Sequence, residues 1–253
     1  MIVFISPAKT FKSYQQEGLQ IPTMVDFSKK ILKKLQILSA DDLKTLMKVN
    51  DKIALLNYDR FKNFKFDKKG SPAIFSYDGI QYKSINPSSF NNDDIDFAQN
   101  NIRILSGLYG VLSPMDSIYP YRLEMMTKLE ISPFKNLYEF WDDSIYSSLN
   151  SDSDGVIVNL ASDEYSKSVK KYLDSDTKYI TCIFKIEKND KLKVESTASK
   201  KARGLMVNYI VKNKISDYHK LKDFNLDGFE FSEDLSTFGE QKIEYIFIKK
   251  AEK

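Results

Sequence analysis

Four short stretches of this 253-residue chain carry residue types that could bind or transform something. The first, Ser6-Pro7-Ala8-Lys9-Thr10, directly follows the apolar run Ile2 to Ile5. Residues at the carboxyl end of a sheet strand face the crevice where ligands of α/β folds usually sit, so Lys9 is placed to meet an anion. The stretch has no glycine cradle and makes no P-loop, so a solvated lysine is the competing reading. The second, Asn159-Leu160-Ala161-Ser162-Asp163-Glu164-Tyr165, reads as a strand running into a helix with Ser162 as its N-cap. Free amides and the helix dipole make such a start a natural phosphate site. Asp163 and Glu164 complement that dipole but would repel an anion; they could instead hold a hard cation or act as acid and base.

The third stretch is the strongest basic signal. From Ser196 to Ser216 there is no acid, while Lys200, Lys201, Arg203, Lys212 and Lys214 contribute +5. Ala202, Leu205, Met206, Tyr209 and Ile210 supply an apolar side, so the cations project outward from a helix. Gly204 would let another backbone approach closely, at a cost of about 1 kcal/mol in helix propensity. Lys167, Lys170 and Lys171 form a second cluster on the preceding helix. Two basic helices that follow consecutive strands could face one side of a sheet and form a groove for phosphates; solvated helix faces are the plainer alternative. The fourth stretch, Arg103 to Leu112, holds Gly107, Tyr109 and Gly110 and is followed by Tyr121-Arg122-Leu123-Glu124-Met125. It reads as a helix ending in a glycine-bounded turn, the kind of element with which a helix-hairpin-helix module offers amides to a DNA phosphate. Because Gly107 and Gly110 are three apart where such hairpins have two, a simple helix C-cap stands beside that reading.

Positioning these stretches requires both strands and helices. Ile2 to Ile5 is predicted as a buried strand ended by Ser6-Pro7. Phe27, Ile31, Leu35 and Leu38 mark an amphipathic helix, Asp41 or Asp42 can cap a second, and Asn50-Asp51 restarts a third through Phe64. Ala73 to Tyr77 and Gln81 to Ile85, β-branched and aromatic around Asp78-Gly79, predict strands. Asn92 caps a helix whose buried stripe is Ile95, Ala98, Ile102 and Leu105, stopped by Gly107 and Gly110. Leu137 to Leu149 is predicted as helix, Val156 to Leu160 as a strand covered on both faces, and a helix starts at Ser162. Tyr179 to Glu187 and Leu192 to Ser196 flank a turn at Lys188-Asn189-Asp190-Lys191, Ala198 to Lys212 is helix, and Phe229 to Phe231 and Ile243 to Ile248 are strands. No linker or repeat divides this map, so residues 1–253 are expected to form one domain with an α/β (mixed α+β) fold, a mixed sheet flanked by helices.

Composition excludes several chemistries. One cysteine, Cys182, makes no internal disulfide, and one histidine, His219, builds no zinc cluster. A histidine-dependent hydrolase would need His219, which lies in a polar connector without a nucleophile elbow. Cys182 lies in the apolar strand Tyr-Ile-Thr-Cys-Ile-Phe, where burial raises a thiol pKa, so a core residue is expected there and not a peroxide-reactive one. Apolar residues at 42% and charged residues at 29% fit neither a disordered nor a membrane protein. No apolar run reaches a membrane span and none near Met1 reaches a signal-peptide core, so a cytoplasmic protein is expected. Of 38 basic residues only Arg60, Arg103, Arg122 and Arg203 are arginine, so arginine is retained where a planar fork of donors matters, in a ligand contact or a structural salt bridge.

Taken in order, Ser-Pro-Ala-Lys-Thr at 6–10, Leu-Ser-Gly-Leu-Tyr-Gly-Val-Leu at 105–112, Tyr-Arg-Leu-Glu-Met at 121–125, Asn-Leu-Ala-Ser-Asp-Glu-Tyr at 159–165 and Lys-Lys-Ala-Arg-Gly-Leu-Met at 200–206 strongly resemble the YaaA family of bacterial peroxide-stress proteins. The similarity runs on to Phe224-Asn225-Leu226-Asp227-Gly228-Phe229, nearly the whole chain. The resemblance implies protection from hydrogen peroxide, low intracellular unincorporated iron, DNA binding, and a mixed α/β body with a basic cleft and a helix-hairpin-helix-like element. It brings no established reaction. Ser113 and Asn208 stand where family members often carry a basic residue near proposed phosphate contacts, and each lost contact flattens the salt dependence of DNA binding by about one unit of slope.

The leading expectation is therefore a stress protein that binds duplex or distorted DNA through its backbone. Lys9, Arg103, the Gly107–Tyr109–Gly110 turn, Arg122, Lys167, Lys170, Lys171, Lys200, Lys201 and Arg203 would line or border the cleft. The alternative is an enzyme acting on an anionic small molecule such as a nucleotide, with Ser6, Lys9, Arg122, Glu124, Ser162, Asp163, Glu164 and Lys200 around one pocket. Iron held directly by Asp93, Asp94 and Asp96 or by Asp142 and Asp143 ranks below both, because acid runs at helix starts act as solvated caps. No cofactor, resident metal or membrane contact is expected, and the oligomeric state stays open, a monomer included.

Overall fold

The computed structural model describes residues 1–66, 70–189 and 191–250. In chain order, β1 (Ile2–Ile5) and the two-residue β2 (Thr10–Phe11) precede helices α1 (Val25–Gln36), α2 (Ala40–Met47) and α3 (Asp51–Lys62). Short pieces follow: β3 (Ser71–Pro72), α4 (Ala73–Ser76), β4 (Tyr77–Asp78) and α5 (Ile80–Ile85). Helix α6 (Asn92–Asn101) runs into β5 (Ile102–Ser106), β6 (Gly110–Leu112) and β7 (Ser117–Ile118). Next come α7 (Leu137–Trp141), α8 (Ser144–Asp152), β8 (Val156–Leu160), α9 (Asp163–Lys170), β9 (Lys178–Lys188) and β10 (Lys191–Lys193). The chain closes with α10 (Ser196–Lys212), β11 (Phe229–Phe238) and β12 (Lys242–Lys249).

Strands β11-β12-β9-β8-β1-β5-β6 form the main sheet in that order, with β10 added to β9. From β12 across to β5 the neighbours are parallel, while β11, β6 and β10 are antiparallel to theirs. The fold is thus the mixed α/β sheet flanked by helices that the element pattern predicts. All four residues of β1 are buried, and Val3 sits between Ile102 and Val158. This matches its reading as a buried strand, and β8 beside it, with four of its five residues buried, matches the reading of Val156 to Leu160 as a strand covered on both faces. From β1 the chain reaches its next parallel partner, β5, on one side, whereas β8 continues through α9 to β9 on the other. The carboxyl ends of β1 and β8 therefore flank a topological switch point, where open α/β sheets leave a crevice.

Four expectations are corrected. Ala73 to Tyr77 and Gln81 to Ile85 are mainly the short helices α4 and α5, with only Tyr77 paired as a strand, to Phe11 of β2, because a short buried apolar run has the same composition in a helix as in a strand. Ile102 and Leu105 do not continue α6; all five residues of Ile102–Ser106 are buried and pair with β1 and β6, so Gly107 to Gly110 is the turn of a β-hairpin and not a helix-hairpin-helix. The caps of α2 and α6 are Ser39 and Asn91, each in a reciprocal capping box with the acid three residues on. Leu137 to Leu149 is two helices, broken where Asp142 takes a positive φ of 46°. The turn expected at 188–191 includes Asp190, which lies outside the described residues; β9 and β10 pair as expected around it.

Helix α10 crosses α5 closely enough that a Cβ on Gly204 would lie 2.2 Å from the Gln81 carbonyl oxygen. The expectation that Gly204 admits another backbone is met. That crossing brings the basic helix against the loop and helix beside the switch point.

Candidate functional site

At the switch point lies a cavity of about 630 Å³, built from five separate segments. The loop after β1 gives Ser6 to Thr10, the start of α5 gives Asp78 to Tyr82, and an extended stretch gives Tyr121 to Glu124. The start of α9 gives Ser162 to Tyr165, and the first half of α10 gives Ser196, Lys200 and Arg203. Its volume falls in the range of small-molecule and cofactor sites.

Two hydroxyls join the strand ends. Ser6 Oγ accepts from the Ser162 backbone N–H at 2.9 Å and lies 3.3 Å from Ser162 Oγ, so Ser162 stands at the N-cap position of α9 as expected but its side chain makes no cap bond to the helix. Tyr82 donates its hydroxyl to the Ser6 carbonyl at 3.0 Å, and Tyr121 shares its hydroxyl with Tyr77 at 2.8 Å and with Ser106 at 2.5 Å. Both tyrosines are only 3% exposed, with Tyr82 packed on Tyr77 and Tyr121 on Phe11 and Tyr109, so they form the closed floor of the cavity. Burial raises the pKa of both phenols, so neither ionises near neutral pH.

The charged groups divide into two poles. At one, Glu124 bridges two cations, accepting from Lys9 at 2.7 Å and from Arg122 Nη2 at 2.7 Å. Burial pushes the Glu124 pKa up, but the hydrogen bonds from Lys9 and Arg122 outweigh it and hold the carboxylate below its ordinary range. Glu164 has the opposite environment. Burial raises its pKa, the Met126 amide at 3.2 Å offsets part of the rise, and the negative charge of Glu124 adds to it. At the other pole stand Lys200 and Arg203. Lys200 is exposed and has no ion-pair partner among the described residues. Arg203 is largely buried, its Nε has no hydrogen-bond partner, and burial lowers its pKa. An unpartnered buried donor costs about 1–3 kcal/mol, so an acceptor at Nε would relieve that cost, while the negative charge of Asp163, in the same cavity, partly offsets the effect of burial on the guanidinium. Cys182, on β9 behind Arg203, is buried with its thiol pushed up to about 12, in line with its reading as a core residue.

The structure brings together Ser6, Lys9, Arg122, Glu124, Ser162, Asp163, Glu164, Lys200 and Arg203, and leaves the other candidates elsewhere. Arg103 is buried and tied to Asp152 at 2.7 Å and to the Gln99 and Ile102 carbonyls at 2.8 Å, so it clamps β5 to α8 and has no fork left for a phosphate. The Gly107 to Gly110 turn is buried against Trp141, whose indole donates to the Gly107 carbonyl at 3.1 Å. The Leu108 and Tyr109 amides are already spent on Ser106 Oγ, and the Tyr109 hydroxyl accepts from the Tyr119 amide, so these amides are not offered to DNA. Lys201 pairs with Asp227 at 2.6 Å, Lys170 lies 3.9 Å from Asp163, Lys171 rests on Tyr172, and exposed Lys167 lies outside the cavity. Ser113 and Asn208 are also used internally, through the Ser113 amide to Asp116 and the Asn208 amide to the Ile85 carbonyl, and neither lines the cavity. Sequence reasoning missed Ile80, Gln81 and Tyr82 because that stretch reads as a strand.

Residues 1–235 match the family described as peroxide stress protein YaaA. A UPF0246 protein of Clostridioides difficile (strain 630) is 52% identical over 252 residues, covering 98% of this chain and 100% of the relative. A UPF0246 protein of Ligilactobacillus salivarius (strain UCC118) is 41% identical over 98% of this chain and 100% of its own length, and one of Agathobacter rectalis is 39% identical over 99% of both.

Proposed function

Because the chain belongs to the peroxide stress protein YaaA family, we propose that it serves the cytoplasmic response to hydrogen peroxide by holding DNA at one or two phosphates, with little sequence preference. The observation that carries this reading is the pair Lys200 and Arg203, cations on one helix face that make no salt bridge among the described residues, beside a cavity that also holds Lys9 and Arg122. Phosphate-directed cations fix position on a nucleic acid without reading bases. Because most other candidate lysines are paired or distant, the contact is a point and not a long trough. A link to iron follows from the same chemistry. A protein cation on a phosphate releases the counterions condensed there, so ferrous iron held by DNA would leave the site where peroxide could react with it.

The test is fluorescence anisotropy of a labelled duplex against salt concentration. Each phosphate contact contributes roughly 0.9 to the slope of log K against log salt, so a slope near −2 is expected, reduced by about one unit in Lys200→Ala and again in the double variant with Arg203→Met. An unchanged slope in the double variant would remove the basis for the reading. The contrast between Glu124 and Glu164 favours a second reading, an enzyme on an anionic small molecule, since carboxylates pushed apart in pKa are suited to base and acid roles. Turnover of a phosphorylated metabolite that is lost in Glu164→Gln, with binding retained, would establish it.

A further inference from the structure

We propose that Met126 is the site at which peroxide modifies this chain, its thioether taking up one oxygen at the rim of the switch-point cavity while the fold stays intact. The proposal goes beyond the binding reading and does not depend on what the cavity holds.

Sulfur is the first target of a two-electron oxidant, and the chain carries it in seven methionines and one cysteine. Met1, Met47, Met115, Met125 and Met206 are buried. Cys182 is buried too, and with its thiol pushed up to about 12 it supplies no thiolate to attack a peroxide. Met24 is half-buried, and its sulfur accepts from the Val111 amide at 3.4 Å. Met126, at 62% exposed, is the one methionine among the described residues that stands open to solvent.

The backbone on either side fixes that position. Met125 and Leu129 are buried, the Thr127 amide donates to the Glu124 carbonyl at 3.0 Å, and the Met126 amide donates to the Glu164 carboxylate at 3.2 Å. Residue 126 is thus fastened by its main chain while its side chain lies outside the core. Glu124 and Glu164 both line the cavity, which places Met126 at its rim. A sulfoxide is polar and disrupts a core when it forms there, as it would at Met125; at Met126 the added oxygen is solvated. The oxidant is hydrogen peroxide, the class to which the family's description points. The thioether lone pair attacks one peroxide oxygen and the O–O bond breaks. Sulfur loses two electrons to become the sulfoxide, and the other oxygen leaves with both protons as water.

The experiment treats the full chain with graded hydrogen peroxide, quenches with catalase, and maps the added oxygen by mass spectrometry. Fragmentation of the tryptic peptide Leu123–Lys128 separates Met126 from Met125. The first oxygen is expected on Met126, roughly tenfold faster than on any other methionine or on Cys182, and a methionine sulfoxide reductase should remove it. Met126→Leu should fold normally and lose that first uptake. The singly oxidised chain should keep the urea midpoint of the reduced one. In amide NMR spectra its shifted resonances should lie at 124–127 and the start of α9. Uptake at Met24 or a buried methionine at a matching rate would overturn the assignment, as would a first oxygen retained in Met126→Leu. A midpoint that falls with the first oxygen would overturn the claim that the fold stays intact, and shifts that leave the start of α9 unmoved would remove Met126 from the cavity rim.

Discussion

The two ends of α10 carry similar charge and have opposite fates. At the carboxyl end, Lys212 and Lys214 converge on Asp94, which is only 5% exposed; Lys212 lies 2.7 Å from one carboxylate oxygen and Lys214 sits on the other. Those hydrogen bonds hold the Asp94 carboxyl far below its usual range despite its burial. Toward the amino end, Lys200 and Arg203 make no salt bridge among the described residues and line the cavity, where Asp163 is the acid nearest in effect to Arg203. The same run of cations is thus a structural staple at one end and is left without salt bridges among the described residues at the other, so charge counted along a sequence says little until its partners are known.

Removing the staple is expected to have the largest effect. Asp94→Ala leaves two half-exposed lysines unpaired and deletes one half of the α6 capping box, so a loss of about 3 kcal/mol is expected from urea unfolding, with ligand titrations unchanged. A wild-type midpoint in that variant would break the comparison. Acid titration sharpens it by about 2 kcal/mol. The folded pKa of Asp94 is depressed, so its stabilisation is present above the unfolded value near 3.8 and is lost as pH falls through the folded one. Asp116 is 1% exposed and has no salt bridge among the described residues; burial raises it to about 6, and hydrogen bonds from Gln20 and the Ser113 amide offset only part of that. Its folded form is therefore favoured below pH 3.8, and that advantage disappears as pH rises through about 6. Stability measured from pH 4 to 7 should fall by this amount at Asp116, and a flat profile would contradict the assignment.

Smaller effects follow within α10. Gly204→Ala should gain helix propensity yet lose about 1–2 kcal/mol net, because the new methyl meets the Gln81 backbone. It should also weaken cavity binding through the displaced α5, which a combined melt and titration would detect. Arg203→Met should cost nothing in stability and raise it by up to about 1 kcal/mol, since it replaces an unpartnered buried donor with an apolar side chain. Clear destabilisation by that change would mean that Arg203 is a structural residue and not a ligand-facing one.

Much of the fold was legible locally. The apolar runs at Ile2 to Ile5 and Val156 to Leu160, the four-four-three spacing from Phe27 to Leu38 and the capping residue Asn50 each gave the observed element, because burial on one or both faces leaves a period in the sequence. Arg103 to Leu112 was misread because Ile102 and Leu105 extend the helical spacing of Ile95 and Ala98 across a helix end. Only the pairing of Ile104 with Ile5 and Leu112 reveals the strand. In the candidate site, the small set chosen for an anionic ligand, from Ser6 to Lys200, came together, since strand ends and helix starts point to the same sheet edge. The broad basic set did not, since the acids that bind Arg103, Lys201 and Lys212 come from distant segments.

The sequence alone determined which segments are buried, which long stretches are helical, and how many cations the basic helix carries, because apolar periodicity acts over a few residues. The short elements at 73–85 and the strand at 102–106 were decided by their tertiary neighbours. Which cations remain available was decided by the tertiary structure. Asp94 and Lys212 are 118 positions apart in the chain, and Ser6 and Ser162 are 156. Ion pairs and hydrogen bonds act over a few ångströms of space, a distance that only the folded sheet and the α5–α10 crossing set.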